Sequence, residues 1–407
     1  MIADTLREAR TIRERCANIT AAVSAGQSRY FVIESDALEE TAELVVATTR
    51  KRYPAGIIPY HSRWRHFEAG SISRRTELDA KLQEIFGSPS PVETARAQID
   101  LTVVSVLLDA GAGSQWAYHD SKSGQDYQRS EGLGVASFRA FLAGAFSSKP
   151  DEPCRVDGSA LQSIDKNRLA HVFQAHEDNP LIGLEQRATL LNRLGEVLLR
   201  DPARFGPDGR PGEIFFRMTD KGRRTEIPAA ELLHSLLVGY SDIWMTGSQI
   251  DGQSLGDTWR HPHAGGEGQT AGWVPFHKLS QWLTYSLLEP FENGGVTVHS
   301  LDELTGLPEY RNGGLLMDTG VIKLKDPALA NMPMTVADEA IIEWRALTVS
   351  LIDELATVVR EQMNQSADQL PLACLLEGGT WAAGRALASD LRGGNPPLTI
   401  VTDGTVF

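Results

Sequence analysis

The chain has 407 residues, 42% hydrophobic and 23% charged, with a formal net charge of -14 and three cysteines. It can bury a large core, and no uninterrupted apolar run approaches the roughly 18 residues of a membrane span. The acidic balance argues against a duplex nucleic-acid binder, whose affinity depends mostly on phosphate neutralisation over a wide surface.

Taken in chain order, the pattern is mainly helical. The opening MIADTLREARTIRERC is charged and helix-like rather than a signal peptide, so the expected location is cytoplasmic. Helices are expected over 5–24, 36–52, 91–110, 131–145, 183–200, 274–289, 337–363 and 380–391. The clearest are 183–200, with Leu184, Leu191, Leu194 and Leu198 on one stripe, and 337–363, with Trp344, Leu347, Leu351, Leu355 and Val358 at spacings of three and four. Strand signals are short and late: GGVTVHS near 296, LLMDTGVIKL near 318, and LTIVTDGTVF, where Asp403 and Gly404 could turn a hairpin. Loops punctuate 147–158, 201–212 and 261–271. The expected organisation is one compact catalytic unit over 1–407, with possible lobes 1–150 and 151–407.

Four stretches could carry chemistry. HSRWRHFEAG (61–70) sits in a basic island: seven Arg or Lys lie at 50, 51, 52, 63, 65, 74 and 75 against the single acid Glu68. Arg63 and Arg65 could clamp a small anion, with Trp64 or Phe67 as packing, or could form structural ion pairs with distant acids. In VPFHKLSQWLTYSLLE (274–289), Phe276, Leu279, Leu283 and Leu287 form an apolar stripe. Lys278, Gln281 and Tyr285 form a second stripe, which is either a site wall or a solvated face. VHSLDELTGLPEYRNGGLLMDTG (298–320) crowds charges and glycines, with Glu309 beside Arg311; it is either a shaped ligand loop or a turn-rich connection. In SVLLDAGAGSQWAY (105–118), Asp109 and Trp116 could line a pocket wall, or the glycines could simply end a helix.

His261 and His263, and His61 and His66 five apart, invite a metal test, but Pro262 stands between the first pair and no HExxH or cysteine partner completes a ligand set. Cys16, Cys154 and Cys374 are isolated, without CxxC spacing. No cofactor and no metal are expected. GxxxxGK[ST] and a helix-opening GxGxxG are absent from the sequence.

The motifs HSRWRHFEAG, DNPLIGLEQR (178–187), SLGDTWRHP (254–262), VPFHKLSQWLTYSLLEP and LTGLPEYRNGGLLMDTGV together resemble the fungal and bacterial uracil-catabolism family of the ribosylurea route, of the domain-of-unknown-function 1688 type. The resemblance runs from about residue 20 to the end. The middle region also resembles, more distantly, the queuosine-salvage nucleotide N-glycosidases, which have a mainly helical fold similar to DNA glycosylases. Phe276, Lys278 and Gln281 match that family's F-Y-K-R-A-Q helix. Leu304, Thr305, Tyr310 and Arg311 match its L-T-x-x-A-D-Y-R motif, with Glu309 where that family has Asp.

These resemblances imply a mainly α, DNA-glycosylase-like architecture with a few short strands, and hydrolysis of the N-glycosidic bond of ribosylurea or its 5′-phosphate, with release of urea. Glu309 is the first choice of catalytic carboxylate, with Asp109 or Asp302 second. Lys278, Gln281, Tyr285, Arg311, Arg63, Arg65, Trp116, Asp251 and Trp259 are the substrate contacts, and Asp251, Asp257 or a histidine could protonate the departing nitrogen. The partner is then a small ribosyl or ribosyl-phosphate molecule, with no nucleic acid and no membrane. The rivals are a metal-dependent ureido amidohydrolase using His261 and His263, and a non-catalytic pathway scaffold.

Overall fold

The computed structural model describes residues 2–109, 111–113, 115–244 and 247–401. Among these residues helix dominates, and the strands, each of two to four residues, come in five antiparallel or parallel pairs. The chain is mainly α. It divides into two compact units, neither continuous in sequence: among the described residues 2–61, 247–281 and 300–401 form the first, and 62–244 and 282–299 the second.

The first unit is built on the helix Glu339–Met363, which buries Trp344, Leu347, Leu351 and Leu355. It ends at Asn364, whose φ of 53° is the left-handed conformation that closes a helix and that Asn tolerates better than most residues. Helices Ala9–Ser24 and Leu38–Arg52 pack along it, and Tyr310–Asp318 packs between it and Trp381–Arg392. Small residues set these approaches. A Cβ at Gly313 would lie 2.7 Å from the Trp344 indole, one at Gly306 would lie 2.7 Å from Ile352, and one at Gly384 would run into the Arg311 carbonyl. Here the glycines bring backbone against helix rather than against a ligand. Between Leu372–Leu375 and Trp381–Arg392 the chain makes a π-helical turn, Leu376–Thr380.

The second unit centres on Pro91–Leu107, whose start carries a full capping box between Ser90 and Glu93 followed by proline at its first position. Helices Arg129–Leu142 and Arg63–Phe67 pack on it. Leu184–Arg200 lies against Gly158–Gln162 through paired glycines, a Cβ at Gly195 falling 2.6 Å from the Gly158 carbonyl.

Several expected elements sit where periodicity placed them, including 184–200, 339–363 and a strand at Thr297–His299. The segment near 318 is instead the end of the helix Tyr310–Asp318 followed by the strand Ile322–Leu324. Its glycines and alternating residues mimic a strand, but Glu309 caps a helix there. Ile400 bridges Met334, whereas the turn at Asp403 and Gly404 lies outside the described residues. Among the described residues no helix is long and apolar enough to cross a membrane.

Candidate functional site

The helix Lys278–Asn293 starts in the first unit and ends in the second. It has no solvated face over most of its length: Gln281, Thr284, Tyr285 and Ser286 are as buried as Leu279, Leu283 and Leu287, and Lys278 at its start is half-buried. The polar stripe seen in the sequence is therefore internal. Gln281 donates to the Thr305 hydroxyl at 2.8 Å, which fixes the first-unit end of the helix to the LTGLPEY loop.

That loop, 304–309, is buried throughout, which is unusual for irregular backbone because its carbonyls lose water. Side chains replace the water. Arg13 donates to the Leu304 carbonyl at 2.8 Å, Asn312 to that of Leu307 at 3.1 Å, and Arg345 to that of Pro308 at 3.3 Å. The loop delivers Glu309 to the N-cap of Tyr310–Asp318, where its two oxygens accept the backbone N–H groups of Arg311 and Asn312, each at 2.7 Å. Burial pushes the Glu309 carboxyl above the usual carboxylate range. The two backbone bonds and the charges of Lys278 and Arg311 oppose that rise without cancelling it. A carboxylate has about four acceptor positions, and capping uses two. The remaining lone pairs can accept from water or face a developing cation.

Asp257 stiffens the same region. Arg345 grips it with two bonds of 2.8 and 2.7 Å, Trp259 donates to it at 2.7 Å, and the Lys278 N–H donates at 3.0 Å. The Arg345 guanidinium stacks on Phe276, 4.2 Å from the ring centre. Burial alone would raise the Asp257 carboxyl, but Arg345 and the two other donors hold it below its ordinary value. Asp257 and Arg345 thus fix the start of the Lys278 helix and the loop before Glu309 in one frame.

The other residues singled out in the sequence fall as follows. Arg311 is buried, donates to the Gly394 carbonyl at 3.1 Å and stacks over Tyr310. Asp302 is exposed and pairs with Arg360 at 3.0 Å. Asp251 occupies the exposed turn between strands Gln249–Ile250 and Gln253–Ser254. It and Gly252 both have positive φ, as a two-residue hairpin loop requires. The His261 Nδ1 accepts the His263 N–H at 3.2 Å, and its Nε2 lies 3.4 Å from Glu343.

In the second unit Arg63 is fully buried. It pairs with Asp109 at 3.1 Å and donates to Ser105 at 2.7 Å. Arg65 pairs with Glu289 at 2.9 Å and Glu68 at 3.3 Å, Arg74 with Asp120 at 3.1 Å, and Arg75 with Glu289 at 2.9 Å. The second-unit arginines of the basic island are neutralised by acids distant in sequence, together with Glu68. Trp116 has no exposed surface and donates to the Phe173 carbonyl at 3.0 Å; Tyr285 is likewise fully buried. Pro290 lies inside its helix and cannot donate to the Ser286 carbonyl, which accepts the Trp64 indole N–H at 3.2 Å instead.

Two residues escaped the sequence reading. Arg345 was visible only as a cation in the middle of an apolar helix, and Glu377 only as an acid before a glycine pair. Neither pattern is distinctive without its partner, 88 and 316 positions away.

Fold and site together define a mainly helical protein in which a buried carboxylate of raised pKa caps a helix within reach of a lysine charge. The chain belongs to the family described as Protein of unknown function (DUF1688), which matches residues 5–407. It is 39% identical over 404 residues to Protein urg3 of Schizosaccharomyces pombe, covering 97% of this chain and 96% of that one. It is 36% identical over 416 residues to Uracil catabolism protein 4 of Lachancea kluyveri, covering 94% and 93% respectively.

Proposed function

We propose that the protein acts in uracil catabolism by hydrolysing the N-glycosidic bond of ribosylurea or ribosylurea 5′-phosphate, releasing urea and ribose or its phosphate. The pathway follows the printed name of the Lachancea kluyveri relative, which aligns over nearly the whole of both chains. The observation that carries the chemistry is Glu309: buried, of raised pKa, and held at a helix start with acceptor capacity to spare.

The C1′–N bond breaks with its electron pair going to nitrogen, leaving positive charge on C1′ and the ring oxygen. Glu309 stabilises that charge and takes the proton of the water whose oxygen bonds to C1′. The raised pKa makes it a stronger base than an ordinary carboxylate. Lys278, whose charge acts on Glu309, is the cation assigned to the substrate's anionic or carbonyl end. Arg311 and Gln281 hold the walls.

The test is urea release, read by coupled urease, from ribosylurea and from its 5′-phosphate, each with and without chelator. Chelator-insensitive urea production that falls on the order of 100-fold or more in Glu309→Gln supports the assignment. No urea from either compound overturns it; ammonia formed without urease would then favour the amidohydrolase, and silence in both assays the scaffold.

A further inference from the structure

Two polar clusters, one in each unit, differ in whether they leave anything for a ligand. In the first unit Glu377 stands on the π-helical turn Leu376–Thr380 and accepts from His61 Nδ1 at 2.9 Å, Arg52 Nη2 at 2.8 Å and the Tyr53 hydroxyl at 2.9 Å. Burial would lift its carboxyl, but those three donors overcome it and pull the group down to about 2. That carboxylate is taken up by the protein itself.

The second unit holds the contrary arrangement. The helices Arg74–Phe86 and Pro91–Leu107, with the last residue of Lys278–Asn293, line a cavity of about 350 Å³, a size at the lower end of small-molecule sites. Its most buried lining residue is Gln98, 1% exposed. The Asn293 amide nitrogen donates to Gln98 Oε1 at 2.8 Å. Two carboxamides joined by one such bond leave a donor on one and an acceptor on the other, whichever way round each amide is turned. Among the described residues neither leftover group has a partner, so the pair turns a donor and an acceptor towards the cavity.

The remaining lining selects by charge and shape. Arg75 and Asp79, one turn apart on Arg74–Phe86, bring one cation and one anion, which favours a neutral ligand over a phosphate or a metal ion. Arg75 meets Glu289 at 2.9 Å and lies over the Trp64 ring, 4.6 Å from its centre. Among the described residues no hydrogen bond or ion pair reaches the Asp79 carboxylate, which is thus an open acceptor for N–H groups. Pro89 and Pro91 add apolar surface without donors.

We propose that this cavity binds a small neutral ureide: a planar molecule with N–H and C=O side by side on one edge and a further N–H, as in the uracil ring. The ligand carbonyl accepts from the free amide donor of the Gln98–Asn293 pair, and the adjacent N–H donates to the free amide acceptor. The further N–H meets Asp79, and a ring face rests on the prolines. No bond is made or broken there, so the site is a binding site that uses neither Glu309 nor Lys278, and it stands whether or not the N-ribosidase reading does.

The experiment titrates the full-length protein with uracil by calorimetry and by saturation-transfer NMR, with uracil methylated on both nitrogens and inorganic phosphate as controls. Uracil is expected to bind saturably, the methylated ring on the order of 10-fold more weakly or less, and phosphate not to compete. Asn293→Leu and Asp79→Ala change residues with exposed surface, so the fold should survive, and each should weaken uracil on the order of 10-fold. Glu309→Gln should bind uracil as wild type does. No saturable uracil binding, methylated uracil binding as tightly as uracil, or binding that both second-unit variants leave unchanged overturns the proposal. Binding lost only in Glu309→Gln belongs to the reaction site and overturns it too. Urea release is not the readout, so failure here leaves the N-ribosidase reading untouched.

Discussion

Asp257 and Glu309 are two buried carboxylates of one unit, tied to the same Lys278 helix and the same Arg345, and they have opposite fates. Asp257 receives a bidentate guanidinium, an indole N–H and a backbone N–H, and is held below its ordinary pKa. Glu309 receives two backbone N–H groups and is raised. A carboxylate saturated by a guanidinium has little basicity left to offer. One that is desolvated and capped only by the main chain keeps it. When environments drive two such groups apart, their roles separate as well: in the proposed reaction Asp257 positions and Glu309 reacts.

The contrast breaks most sharply at its ion pairs. Asp257→Ala takes the carboxylate away from the buried Arg345 guanidinium and should cost about 3–5 kcal/mol in chemical denaturation. Arg63→Ala, which strands Asp109 in the second unit, should likewise lower Tm markedly rather than act only on KM; a stable Arg63 variant with raised KM would return that residue to the substrate. Glu309→Gln should keep one capping acceptor and lose about 1 kcal/mol of stability while activity falls far more. Equal losses in both would make Glu309 a cap and nothing else.

Acid sharpens the comparison next. Glu377 has a folded pKa of about 2 against an ordinary 4.5, so its contribution, on the order of 3 kcal/mol, is present above pH 4.5 and lost as pH falls towards 2. Asp257 adds to that loss below its ordinary value of 3.8. Glu309 has the reverse sign, its burial costing stability once ionised and relieved on protonation. Denaturant titrations between pH 7 and 2 should therefore show a shallower acid decline in Glu377→Gln than in wild type. The smallest effect is expected at Asp302: its exposed pair with Arg360 is worth at most about 1 kcal/mol, and Asp302→Ala should leave both stability and urea release nearly unchanged.

Periodicity made the long helices legible, because apolar stripes repeat at the helical period whatever they pack against. It could not tell that the second stripe of Lys278–Asn293 is internal, since buried Ser, Thr and Gln look like a wet face until their partners are known. Glu309 and Arg311 stood out because they lie close together in a stretch crowded with charges and glycines. The pairing of Arg63 with Asp109 and of Glu377 with His61 depends on topology that spacing does not encode. Gly313 was legible only in part: its local freedom was visible, but the Trp344 side chain it accommodates was not.

Pro290 illustrates how a missing group can recruit a distant one. By helix propensity alone an alanine there would be the better residue, by about 3 kcal/mol. It would also bring a donor to the Ser286 carbonyl, which now has the Trp64 indole as its partner, while the Ser286 hydroxyl accepts the Arg63 N–H at 2.9 Å. The proline keeps a vacancy in one helix ladder, and the short helix Arg63–Phe67 is docked by filling it. Changes at this position should thus be read as changes in docking selectivity, with local helix stability moving the other way.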